Sequence, residues 1–374
     1  MSQAASPASS LSAPIVWAQA QRQADFQAWL ETLATRHQLN PRSLRMASAD
    51  ASFRRYFRID SALGTRIIMD APPDKEDCAA FVKVAGLMRA AQLHAPEILA
   101  RDEMNGFMLL SDLGQQTMLQ AMNREHAQAN QGWYLQAVEM LIAWQLASRP
   151  GVLPAYDEAL LRRELELFPE WYLAQYRSLS IDADTRRTLD NAFARIIKDN
   201  LAWPSVYVHR DFMPRNLMLD KVAAALTPAC AAMPKPAVQL GVLDFQDAVY
   251  GPITYDIASL MRDAFISWEE EFCLDITVRY WEKARKAGLP VGTDFGEFYR
   301  GVEWMGLQRH LKVAGIFARL TLRDGKLQYL ADTPRFIDYI RATCSRYREL
   351  KPLLRLVERV EGVSPDSAYT FGRI

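Results

Sequence analysis

His209-Arg210-Asp211-Phe212-Met213-Pro214-Arg215-Asn216 is the stretch on which the reading of this chain turns. It has the form H-x-D-x-x-x-x-N, and Leu243-Asp244-Phe245-Gln246-Asp247 follows at the end of an apolar run. Phosphoryl transfer from ATP needs one carboxylate to accept or orient the proton of the attacking hydroxyl. It also needs an amide oxygen and a second carboxylate to hold the magnesium that screens the triphosphate. Asp211 fits the first role, and Asn216 and Asp244 fit the second. The pattern predicts small-molecule kinase chemistry with ATP and Mg2+.

The flanking residues support that spacing. Val206-Tyr207-Val208 reads as a short strand, His209 to Asn216 as the loop leaving it, and Leu217-Met218-Leu219 as the strand that returns. Asp211 and Asn216 are then the two ends of one tight loop. Asp244 closes the next apolar run, Val238 to Leu243. Magnesium takes oxygen ligands in near-octahedral geometry and keeps several waters, so two protein ligands plus phosphate oxygens suffice.

Composition narrows the alternatives. A chain of 374 residues is long for a single core, so two lobes are expected. Lys+Arg and Asp+Glu both number 44, which argues against a general nucleic-acid binder. The four cysteines (Cys78, Cys230, Cys273, Cys344) are scattered without a C-x-x-C pair, so neither structural zinc nor a disulfide framework is expected. A reducing cytoplasm suits them. No apolar run approaches the ~18 residues a membrane span requires. The Ala/Ser-rich residues 1–14 lack a basic start and an apolar core, and read as a flexible tail.

Periodicity divides the chain. A first helix is expected from Ile15 to Leu39, closed by Pro41, with Trp17, Phe26, Trp29, Leu30 and Leu33 on its apolar positions. Phe53 to Asp60 and Thr65 to Asp70 read as a hairpin, Asp77 to Leu93 as a helix, and Glu97 to Arg101 with Gly106 to Ser111 as a second strand pair. From Leu113 helical stretches dominate: Trp133 to Ser148, Glu158 to Tyr176, Asp184 to Lys198, and nearly everything after Asp244. The Ala/Pro-rich residues 221–236 read as a mobile insert.

The order of elements and three landmarks resemble the aminoglycoside phosphotransferase family. The landmarks are the HRDFMPRN loop, the LDFQDA strand end and Gly251-Pro252-Ile253-Thr254-Tyr255-Asp256-Ile257-Ala258. The resemblance implies an α+β, bilobal protein-kinase-like fold: a small β-rich N-lobe over 15–112 and a mainly helical C-lobe over 113–374. It also implies a nucleotide between the lobes. Asp256 would brace the catalytic loop, the other reading of it being a helix N-cap. His209 likewise reads as a brace. Leu109 to Gly114 resembles the hinge, which makes Leu110, Ser111 and Leu113 candidate adenine contacts. The loop from Ala49 to Ser52 would cover the phosphates, with Ser52 offering its hydroxyl and N–H. Where the kinase pattern expects a strand lysine, the chain has Met69-Asp70; Arg54, Arg55 and Lys83 are the candidate replacements.

A narrower resemblance, to the bacterial anomeric sugar kinases, rests on Ser52 to Arg58, Met69 to Pro73, Phe81 to Ala85 and Gln308 to Val313. It implies that an amino sugar, N-acetylmuramate or N-acetylglucosamine, is phosphorylated at C1 during cell-wall recycling. No nucleic acid, membrane or obligate protein partner is implied. Glu164, Glu166, Glu170 and Trp171 on one helix, with Glu166 and Glu170 four apart on one face, and Arg309, His310 and Lys312 on a late helix are candidate sugar contacts. Two other readings remain at this point. One is a related kinase for an aminoglycoside, choline or homoserine; the other is a catalytically silent nucleotide-binding regulator.

Overall fold

The computed structural model describes residues 15–49, 53–220 and 239–363. The expected tail over 1–14, Ser52 in the phosphate-covering loop and the insert over 221–236 lie outside the described residues. The chain forms two compact units. One comprises the described residues up to Arg89, His94–Gln115 and the described part of Asp220–Gln246. The other comprises Ala90–Leu93, Gln116–Leu219 and the described residues from Asp247 onward.

The first unit is built on an antiparallel sheet of β1 (Leu39–Ala49), β2 (Arg55–Ser61), β3 (Gly64–Asp70), β4 (Ile98–Asp102) and β5 (Phe107–Ser111), in spatial order β1-β2-β3-β5-β4. Helix α1 (Ala20–Ala34) buries Phe26, Leu30 and Leu33, an i, i+4, i+7 stripe, in one cluster with Phe57, Ile59, Ile68, Phe107 and Leu109 of the sheet. The β2–β3 turn is Ala62-Leu63, with Ser61 opposite Gly64 at φ 98°. At the β4–β5 turn Gly106 (φ 70°) lies so close to the Ala71 carbonyl that a Cβ would sit 2.0 Å from its oxygen. Helix α2 (Cys78–Ala90) buries Phe81, Val84 and Met88, and Phe81 packs on Phe245 with ring centroids 4.9 Å apart.

The expected first helix is shorter than read, because Leu39 already begins β1. That strand carries Pro41 and few apolar residues, and its pairing with β2 is twice irregular; an edge strand with bulges tolerates such a sequence. The sequence reading also puts everything after residue 112 in the helical lobe. The segment around β8 (Gln239–Val242, with β6 and β7 given below) instead belongs with the sheet unit. Val242 N–H donates to the His94 carbonyl at 2.8 Å, and a Cβ on Gly241 would lie 2.7 Å from Leu113 Cδ1.

The second unit is helical. In chain order it holds α3 (Met118–Ala121), α4 (Gln131–Leu146), α5 (Glu158–Leu167), α6 (Ala183–Leu201), α7 (Thr254–Met261), α8 (Glu270–Lys286), α9 (Phe295–Leu322), α10 (Thr333–Arg346) and α11 (Lys351–Glu361). Strand β6 (Ser205–Val208) pairs antiparallel with β9 (Val249–Pro252), and β7 (Leu217–Asp220) follows the catalytic loop. The sequence reading misses β9, whose four residues include Gly251 and Pro252. The helix expected over Glu158 to Tyr176 is α-helical only to Leu167 and widens to a π-helix over Phe168–Tyr176.

Helix α9 is the spine of this unit, with eighteen buried residues including Trp304, Leu307 and Leu311. Gly315 lets it meet the end of α5, where a Cβ would stand 2.2 Å from the Leu167 carbonyl oxygen. The obstacle is backbone, which cannot rotate aside. Gly315→Ala is therefore expected to lower stability by about 2 kcal/mol in spite of alanine's better helix propensity. Urea unfolding measures it; an unchanged midpoint would show that α9 can lift off Leu167.

Candidate active site

The loop from His209 to Asn216, the expected catalytic loop, starts where β6 ends. Arg210 adopts φ 76°, a left-handed conformation that a long side chain rarely takes. Two neighbours hold it there. The buried carboxylate of Asp256, in the first turn of α7, accepts the backbone N–H of His209 at 2.7 Å and of Arg210 at 3.0 Å. Arg309 on α9 donates Nη1 to the Arg210 carbonyl and lies over the Tyr255 ring at 4.9 Å. Burial pushes the Asp256 carboxyl up to about 7, against the pull of those two N–H groups and of Arg309. His209 Nδ1 accepts the Asp211 N–H at 3.3 Å, and Asn216 Nδ2 donates to the Asp211 carbonyl at 2.9 Å. The amide nitrogen of Asn216 thus closes the loop, and its oxygen is the atom with the chemistry for a hard cation.

The Arg210 side chain runs into a buried charge cluster. Glu164 on α5 accepts from Arg210, from Lys312 Nζ at 2.9 Å, from the Tyr156 hydroxyl and from Gln308 Nε2 at 3.0 Å. Burial alone would raise the Glu164 carboxyl, but Lys312 and Arg210 bring it down to about 2. The sequence reading sets Glu164 and Lys312 among the possible sugar contacts and gives Tyr156 no role; it does not foresee the link to Arg210, because nothing local ties a helix glutamate to a loop 46 residues on.

Asp244, in the sheet unit, also has a positive φ, 64°, and Gln246 Nε2 donates to its Oδ1 at 2.9 Å. In the same unit Arg54 pairs with Glu76 at 2.7 Å. Arg55 does not stand ready for a phosphate. Its Nε donates to Asp70 at 2.9 Å, its guanidinium lies 4.1 Å from the Trp17 ring centre, and Arg22 binds the other oxygen of the same fully buried carboxylate. In the expected hinge, the Ser111 N–H donates to the Glu97 carbonyl at 2.9 Å, and the Ser111 hydroxyl accepts the Glu97 N–H at 2.8 Å. Leu110 is buried within the sheet and Leu113 against Gly241. Arg58 ties the segment down through Asp112 (2.6 and 3.0 Å) and the Gly114 carbonyl (2.8 Å).

A model of the phosphotransferase enzyme family matches residues 43–292, two thirds of the chain. The chain belongs to that family. It is 47% identical over 354 residues, 94% of this chain and 100% of the other, to a protein of Neisseria meningitidis serogroup B named N-acetylmuramate/N-acetylglucosamine kinase. A Pseudomonas aeruginosa protein of the same name is 48% identical over 317 residues, 85% of this chain and 88% of the other. Among solved structures, a choline/ethanolamine kinase family protein from Mesorhizobium loti aligns with a TM-score of 0.57 at 14% identity, over 90% of this chain and 99% of that one. At that identity the likeness shows the fold alone. The fold is α+β and protein-kinase-like, and the chain is an ATP-dependent phosphotransferase.

The expected sugar contacts of this phosphotransferase fare unevenly. Glu166 is engaged on the outer side of α5 by Arg186, with two bonds of 2.6 and 2.7 Å. Glu170 is exposed on the π-helical turn. Arg309 is buried under the catalytic loop and braces it. His310 points elsewhere, since one residue along a helix turns a side chain by about 100°. It is buried, stacks on Tyr339 at 4.5 Å and places Nε2 3.0 Å from the Arg262 carbonyl. Among the described residues, no contact places His310 or Glu166 beside the loop.

Burial lowers the His310 imidazole to about 3, so it is neutral when folded. An unfolded histidine takes up a proton near pH 6.5, so this group's contribution is whole above that pH and is lost as pH falls from 6.5 toward 3. His310→Gln removes that dependence. Between pH 6.5 and 4.5 the variant is expected to lose about 2 kcal/mol less stability than the wild type, measured by urea unfolding at each pH. Parallel pH profiles would show that His310 is protonated in the folded chain.

Proposed function

We propose that this phosphotransferase moves the γ-phosphate of ATP to the anomeric C1 hydroxyl of N-acetylmuramate and N-acetylglucosamine, in the cytoplasm, so that cell-wall sugars are reused. The observation that carries the proposal is the 47% identity, over 94% of the chain, to a kinase named for those two sugars. The catalytic loop agrees with it. Asp211 takes the hydroxyl proton as the sugar oxygen forms its bond to the γ-phosphorus and the bond from that phosphorus to the β,γ-bridging oxygen breaks, giving ADP. An anomeric hydroxyl is more acidic than an ordinary alcohol, so one carboxylate suffices as base.

The donor set suits magnesium. Asn216 offers an amide oxygen while its nitrogen is spent on the loop, and Asp244 a carboxylate oriented by Gln246; both are hard oxygen ligands. Magnesium, when bound, neutralises charge on the triphosphate. Arg54, held by Glu76, is the proposed phosphate cation in place of the strand lysine. With Ser111 paired to Glu97, the adenine contact is proposed at the Leu113 backbone.

Asp211→Asn is expected to lower kcat about 10³-fold or more while ATP affinity changes less than about threefold. Phosphorus NMR after incubation with ATP, magnesium and either sugar reads the product. A sugar 1-phosphate resonance with the wild type, absent with the variant, is the expected result. Wild-type turnover of a choline or aminoglycoside acceptor but of neither sugar would overturn the substrate assignment, and full turnover by the variant would overturn the base assignment.

A further inference from the structure

Asp263 follows the end of α7 and is 1% exposed. Its Oδ1 accepts the Phe265 N–H at 2.6 Å, but its buried Oδ2 has no hydrogen-bond partner among the described residues. A buried carboxylate oxygen without a donor is costly, so a water, an ion or a ligand group completes it. Burial pushes this carboxyl up to about 6, while the Phe265 N–H and then Arg309, Arg335 and Arg215 pull it down. Two of these arginines are already engaged. Arg309 holds the Arg210 carbonyl, and Arg335 donates to the Ala264 carbonyl at 2.9 Å and to Asp332 at 3.3 Å.

Arg215 differs. It stands in the catalytic loop one residue before Asn216, is half-buried, and lies over the Phe265 ring at 4.5 Å. It makes no hydrogen bond or ion pair with another described residue. A guanidinium kept beside the reacting loop with its donors unspent is a receptor for an anion. The neighbouring Asp263 restricts which anion. A triphosphate has only acceptor oxygens along its chain and cannot donate to Asp263 Oδ2, and a cationic acceptor would be repelled by Arg215, Arg309 and Arg335. A molecule with both a carboxylate and hydrogen-bond donors satisfies both groups.

We propose that Arg215 and Asp263 form the acceptor subsite that favours an acidic amino sugar: Arg215 receives the sugar's carboxylate, and Asp263 Oδ2 accepts a hydroxyl or amide hydrogen of the same molecule. The assignment rests on the reading of the chain as an amino-sugar kinase and adds its specificity determinant. N-acetylmuramate carries the carboxylate and N-acetylglucosamine lacks it, so the two substrates separate the two contacts. Losing a charge-assisted bond is expected to lower kcat/KM for the acid about 30-fold in Arg215→Gln and for the neutral sugar about threefold, so that the preference falls about tenfold. Arg215→Lys, which keeps the charge, is expected to recover part of that preference. Asp263→Asn is expected to lower kcat/KM for both sugars, because the donor it meets is common to them.

The experiment is steady-state kinetics of the full chain with each sugar at saturating ATP, with thermal unfolding of each variant alongside. Equal losses on both sugars in Arg215→Gln would overturn the assignment and place Arg215 on the nucleotide or the loop. An unchanged ratio, or a lysine variant no better than glutamine, would overturn it too. A wild type that phosphorylates neither sugar would bring down the parent reading, and this subsite with it; activity on the neutral sugar with an unaltered ratio would bring down the subsite alone.

Discussion

One carboxylate receiving two adjacent backbone N–H groups holds the catalytic loop in shape. The N–H groups of His209 and Arg210 both end on Asp256, and directly after them the chain turns through Arg210 at φ 76°. The left-handed conformation costs of order 1–3 kcal/mol. Two hydrogen bonds to the Asp256 carboxyl, each of about 1 kcal/mol or more, offset it. Asp256 is completely buried, so water cannot compete for those bonds. Everything downstream follows from the turn: it sends the Arg210 side chain into the helical unit, brings Asp211 N–H onto His209, and starts the loop that Asn216 closes. Asp256 is thus a brace for the loop, and not an N-cap, since no side-chain cap bond is found at the start of α7.

The second layer is electrostatic. Glu164 gathers two cations and two neutral donors about one carboxylate whose position would otherwise forbid a charge. Lys312, Gln308 and Arg309 all come from α9, at positions whose helical spacing puts 308 and 312 on one face and 309 beside them. One rigid helix therefore fixes both the carbonyl and the side chain of Arg210. Removing a single member would leave a buried charge unpaired, which costs 3–5 kcal/mol in general, more than the pair contributes as a unit. The cluster consequently acts as a register mark: α5, α9 and the loop fit together in one arrangement or lose several bonds at once.

What could be read from the sequence and what could not follow from this layering. The loop from His209 to Asn216 is legible because its chemistry is local, eight residues between two short apolar runs. The hairpin at Ser61 to Gly64 and the stripe of Phe26, Leu30 and Leu33 are legible for the same reason. Strand β1 is not, because its partner imposes strand geometry on a run whose own residues, Pro41 among them, favour nothing regular. Glu164 and Lys312 are legible only as polar residues on helices of the second lobe; that Glu164 joins Lys312 to Arg210 depends on the tertiary fold. Arg309 and His310 stand side by side in the sequence and look equally suited to a sugar. Helical geometry separates them, sending one beneath the loop and the other, uncharged, into an aromatic stack.

The absent strand lysine shows the same logic at work in the sheet unit. Asp70 occupies the end of β3, where a cation is expected, and a lone buried carboxylate there would be untenable. Two guanidiniums, from Arg22 on α1 and Arg55 on β2, complete it, so the residue that departs from the kinase pattern becomes the clasp between the first helix and the sheet. Arg55 thereby commits Nε and Nη2 to Asp70 and Nη1 to the Val16 carbonyl. Arg54, the next residue back, faces Glu76 instead. Arg54 thus sits just before β2 and is paired with a glutamate just ahead of α2. Asp70, at the place of the expected lysine, serves as a structural anion.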